Sequence, residues 1–153
     1  MQTGSRGKIP VACAKLRLLY LHPDSSLKKL QLKQYLVAVH RHIPTSSLLN
    51  KVKDISIVLC GDQEIRRVKR MFWGRPGVTD VVSLAYLDPP SIEIIINVEQ
   101  ARRQTPWGVR QEIVFLYIHG ILHILGHRDN NAKNRARMLG LGLKILRQIF
   151  ILD

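Results

Sequence analysis

The stretch leading to Leu125 carries apolar residues on every side of a helix, and such a helix has to be buried in the core of its domain. Two histidines interrupt its last turns, His119 and His123. Positions i and i+4 share one helix face, so both imidazoles can point at a single ion. Gly126 then lets the chain turn where the helix ends, and two more donors follow at once, His127 and Asp129. This is the H-x-x-x-H layout of a metal helix, with Gly120 in the place where metalloproteases put a general-base Glu. Peptide hydrolysis by that route is therefore disfavoured. Glu112, two turns earlier, is expected to face solvent near the helix start.

The third ligand has two contenders. A glycine three residues after the second His, and a ligand three beyond that, is the register of the long zincin motif; it selects Asp129. His127 offers an imidazole, and a helix continuing past Gly126 would bring it to the same face. Three protein ligands leave one coordination position open for water, the arrangement of a catalytic site. One divalent ion is expected; imidazole suits zinc, nickel or other first-row ions. A structural site would close with a fourth ligand, and none is apparent nearby. Cys13 and Cys60 do not stand at metal-motif spacing and are expected to be reduced thiols.

Charge constrains the partner. The chain has 24 Lys and Arg against 11 Asp and Glu, a formal net charge of +13. Such an excess favours a phosphate polymer, which releases counterions as it is neutralised. No apolar run approaches the length of a bilayer span, and the segment Met1 to Ala14 does not fit a secretory signal. The expected compartment is the cytoplasm.

The length, 153 residues, suits one domain spanning 1–153. Strands are expected at Lys15–Leu21, Asp54–Cys60, Thr79–Tyr86 and Ser91–Asn97. A helix capped by Ser25 or Ser26 should run to about His42, and Pro44–Asn50 should be a loop. A basic helix follows Gly61-Asp62 to about Phe72, carrying Arg66, Arg67, Lys69 and Arg70 as candidate RNA contacts; in the turn after it Arg75 can pair with phosphate, and Trp73 can stack on an unpaired base or pack on the core. Asn97 can cap a short helix through Gln104. Thr105-Pro106 would start the metal helix, and a last amphipathic helix should end near Phe150. The class is α+β: a small four-stranded mixed sheet packed with about five helices, the metal helix at the core.

At this point the motifs match a family. His119-Gly120-x-Leu122-His123-x-x-Gly126 resembles the signature of the YbeY family of bacterial endoribonucleases that mature ribosomal RNA. Asp62–Gly74 resembles the family's helix and turn, Thr79-Asp80-Val81-Val82-Ser83-Leu84 its Thr-Asp-Val-Leu-Ser-Phe strand, and Ile92–Ala101 its next strand and helix. The resemblance implies an α+β metal-hydrolase fold, a zinc-type site, and metal-dependent cleavage of single-stranded RNA in ribosomal RNA maturation and ribosome quality control. In that register the family's third histidine falls on Asp129, and its usual basic residue in the turn falls on Trp73, with Arg75 two positions later. The metal set is then His119, His123 and Asp129, with His127 as the alternative. Arg75 would balance phosphate charge, and Asp80 and Ser83 would line the pocket. The alternative function is a catalytically weakened, ribosome-associated RNA-binding factor whose metal is structural.

Overall fold

The computed structural model describes residues 15–150 except 23–26, 45–46 and 76. Along the chain it contains β1 (Lys15–Tyr20), α1 (Lys29–Val39), α2 (Ser47–Lys51), β2 (Asp54–Cys60), α3 (Asp62–Trp73), β3 (Val81–Leu87), β4 (Pro90–Asn97), α4 (Val98–Gln104), α5 (Val109–Ile124) and α6 (Ala132–Ile149). The fold is α+β, and the sheet order is β1-β2-β4-β3. β1 pairs with β2, and β2 with β4, in parallel; β3 returns antiparallel on β4. No helix among the described residues is long and apolar enough to cross a membrane.

The two central strands are buried on both faces, which is why β4 ends in a continuous apolar run, Ile94-Ile95-Ile96, instead of alternating. Ile55, Ile57, Leu59, Ile92, Ile94 and Ile96 point into the main core, beneath α1, α5 and α6. Val58, Cys60, Val82 and Ile95 point the other way and form a second cluster with Ile65 of α3. Cys60 is a free, buried thiol. Burial, reinforced by Glu64, Asp62 and Glu99, pushes it up to about 12. Cys13 lies outside the described residues, as do the proposed caps Ser25 and Ser26.

Four local expectations need correction. α2 occupies part of the stretch 44–50 expected as loop, and it seats Leu49 in the main core. That anchor, not local propensity, accounts for the turn of helix. α1 ends at Val39, although i→i−3 hydrogen bonds from His40, Arg41 and His42 carry a tightened turn on to the expected end. α5 is preceded by Gly108 and not by Thr105. The Thr105 hydroxyl accepts hydrogen bonds from the Trp107 and Gly108 amides and so stabilises the turn before the helix. Finally, Glu112 is buried, 4% exposed, in place of facing solvent. Gln104 at the end of α4 folds over it and donates a 2.8 Å hydrogen bond to its carboxylate.

Candidate metal centre

α5 is held close to the sheet because Gly120 has no side chain. A Cβ built there would lie 2.8 Å from the Ser83 hydroxyl oxygen and 3.1 and 3.2 Å from two Ile94 carbons. The residue that sequence comparison with metalloproteases marked as a missing Glu is therefore the contact point between the helix and strands β3 and β4. That close approach brings His119 and His123, on consecutive turns, over the beginning of β3.

After Ile124 the chain ends the helix in a Schellman turn. The Gly126 amide donates to the His123 carbonyl and the His127 amide to the Leu122 carbonyl, each at 3.0 Å. Gly126 takes φ of 98°, a conformation that L side chains rarely adopt. The turn sends the two candidate third ligands in different directions. His127 lines a separate cavity with Arg128, Asn134 and Arg137. Asp129 comes back to the histidine pair, its backbone carbonyl tied to Arg135 of α6 at 3.4 Å.

Three donor atoms converge. His119 Nε2 and His123 Nε2 are 3.1 Å apart, and Asp129 Oδ2 is 3.6 Å from the first and 3.3 Å from the second. Ligands about 2.0–2.2 Å from a common tetrahedral ion would be separated by about 3.3–3.6 Å. The set is therefore already spaced to hold a divalent cation. Among the described residues these three form the one group of His, Cys, Asp or Glu with such convergence. Burial and the neighbouring His123 both lower the His119 pKa, with partial opposition from Asp80 and Asp129. The net effect favours neutral imidazole, the form that can bind a metal.

The donors open into a cavity of about 420 Å³ lined by His119, His123, Asp129, Thr79, Asp80, Val81, Val82, Ser83, Lys69 and Trp73. Asp80 and Ser83 thus lie where expected. The Asp80 carboxylate is steadied by the same Gln104 amide group that holds Glu112, at 3.1 Å. Burial raises the Glu112 pKa, against the opposing pull of the Gln104 hydrogen bond. Arg75 is exposed in the turn beyond Gly74 and is not among the lining residues. Arg66, Arg67 and Arg70 are exposed as well, and none lines the cavity. Of the four basic residues expected on this helix, only Lys69 lines the cavity; Lys69 and Trp73 stand at i and i+4 and share a face of α3.

Comparison with known proteins follows the same lines. The family model described as Endoribonuclease YbeY matches residues 21–150. The Endoribonuclease YbeY of Heliobacterium modesticaldum is 35% identical over 113 residues, which cover 61% of this chain and 68% of that protein. The protein of the same description from Thermus thermophilus is 34% identical over 85 residues, covering 49% of this chain and 61% of its own length. That from Persephonella marina is 28% identical over 126 residues, covering 76% and 79%. The solution structure of TM1509 from Thermotoga maritima superposes with a TM-score of 0.56 at 26% identity, covering 88% of each chain.

Proposed function

The chain belongs to the YbeY endoribonuclease family, and from that membership we propose that it is a metal-dependent endoribonuclease acting on single-stranded RNA in ribosomal RNA maturation and ribosome quality control. We propose one such domain over residues 1–153, working in the cytoplasm, where its RNA substrate and the ribosome are found.

The observation that carries this reading is the spacing of His119 Nε2, His123 Nε2 and Asp129 Oδ2 at a solvent-open cavity. These residues would hold the ion, zinc being the best fit to two imidazoles and a carboxylate. When bound, the ion would supply Lewis-acid stabilisation of charge on phosphate and lower the pKa of water. The protein's own groups do the rest. Asp80, steadied by Gln104, presents a carboxylate acceptor in the same cavity. Ser83 adds a hydroxyl next to Gly120. Arg75 balances phosphate charge from outside the cavity lining, and the chain's net charge of +13 draws RNA to the surface. The three-member ligand set speaks against a purely structural metal, which would close with a fourth protein ligand.

The test is metal analysis of purified protein joined to cleavage of a structured RNA, with and without chelator. Wild-type protein should retain a divalent ion and cut in a chelator-sensitive manner. His123→Ala should lose both the metal and the cleavage. RNA binding without any metal-dependent cutting would replace this reading with that of a ribosome-associated binding factor.

A further inference from the structure

On α3 the inward positions are Ile65, which is buried, and Val68, which is partly buried against the second cluster. Lys69 continues that face and is itself half-buried, at a place where an amphipathic helix would ordinarily carry an apolar side chain. Its ammonium reaches across to the turn before β3, 3.4 Å from where a Cβ on Gly77 would stand. No carboxylate among the described residues forms an ion pair with it. Asp80 is engaged by Gln104 and Asp129 by the two histidines. One turn further on, Trp73 is 50% exposed and lines the same cavity. A cation thus stands without a counter-ion, beside an indole, in the cavity of the candidate metal centre. With a divalent ion in place the cavity's fixed charges come out net positive, which suits a phosphate.

We propose that Lys69 and Trp73 together form a nucleotide subsite, the ammonium holding a phosphate and the indole stacking on an unpaired base of the same strand. This deepens the endoribonuclease reading of the metal group and rests on it. The pairing would give a preference for single strands. A base inside a duplex already spends both faces on its neighbours and has none to offer Trp73, whereas Lys69 alone would hold either form.

The experiment uses the full chain loaded with zinc, a short single-stranded oligoribonucleotide and the corresponding duplex. Binding of the single strand should quench indole fluorescence in the wild type and much less in Trp73→Phe. Trp73→Ala should weaken single-strand binding by roughly 5- to 100-fold and leave duplex binding unchanged. Lys69→Gln should weaken binding and reduce the slope of log affinity against log salt by about 0.7. Lys69→Arg should restore both, and the exposed α6 control Lys144→Gln should match the wild type. Melting curves of each variant report the fold separately. If wild-type protein cleaves in a metal-dependent manner while Lys69→Gln and Trp73→Ala keep full affinity, slope and quenching, the subsite is overturned and the nuclease reading stands. If binding depends on both residues but no metal-dependent cleavage occurs, the subsite holds and the nuclease reading falls. Absence of RNA binding by the wild type overturns both.

Discussion

The absence of a side chain at residue 120 decides how close α5 can come to the sheet. Its neighbours, Ser83 and Ile94, occupy the volume that any larger residue would need. Gly120→Glu should therefore not create a metalloprotease. It should destabilise the fold by more than about 3 kcal/mol, combining overpacking with a buried carboxylate that has no partner. Gly120→Ala should cost less than Gly120→Glu, because the Ser83 hydroxyl can rotate away, Ile94 need give by only a few tenths of an ångström, and alanine gains about 1 kcal/mol of helix propensity. Urea unfolding of both variants checks the order; equal stabilities would mean that the helix does not touch the sheet there. Sequence pattern marked this residue as a departure from the metalloproteases, and its packing role was not visible there. The reason lies in two strands distant in sequence.

Several elements meet at Asn97, which is fully buried. Its side-chain oxygen caps α4 by accepting from the Gln100 amide at 3.2 Å. Its amide nitrogen donates to Asp62 at the start of α3 and to the Thr79 carbonyl just before β3, at 2.7 and 3.1 Å. Arg103 closes the junction with two hydrogen bonds to the Asp62 carboxylate, at 3.0 and 2.6 Å. Together Arg103 and Asn97 hold Asp62 at about 2, below the usual carboxylate range. The capping role could be expected from the sequence, since Asn before a helix is a common start signal. The reach to Asp62 and Thr79 could not, because it joins three elements. Asn97→Ala should cost about 2–4 kcal/mol, from the lost cap and from buried groups left unpaired. Denaturant melts measure that loss. A loss under about 0.5 kcal/mol, the scale of an ordinary surface change, would show that the junction is not structural.

At the scale of the whole molecule, α1 is tied to α5 through His40 and Tyr117, whose hydroxyl and Nε2 are hydrogen-bonded. Burial lowers His40 to about 4, so its imidazole stays neutral in the folded state while the unfolded chain takes up a proton near pH 6.5. Between these values the unfolded state binds more protons, and stability must fall as the pH falls. The contribution is fully present above about pH 6.5 and is lost by about pH 4, amounting to on the order of 3 kcal/mol. Unfolding free energies measured across that range should show the decline in the wild type and a flatter profile in His40→Gln. Parallel profiles would remove His40 as the cause.

The sequence by itself determined the elements whose signals are local. The order of strands and long helices follows from apolar periodicity. The histidine pair follows from helical spacing, and the turn after it from Gly126, since backbone freedom at φ of 98° is a property of that residue alone. What depends on contacts across the chain had to come from the tertiary structure. It turned Asp129 and not His127 toward the histidines, buried Glu112 beneath Gln104, drew a turn of helix over Leu49, and carried Lys69 into the cavity while leaving Arg75 outside it. Each of these outcomes depends on which surfaces meet when the sheet and helices pack. That is settled by burial and hydrogen bonding among residues far apart in the chain, and no window of neighbouring residues contains it.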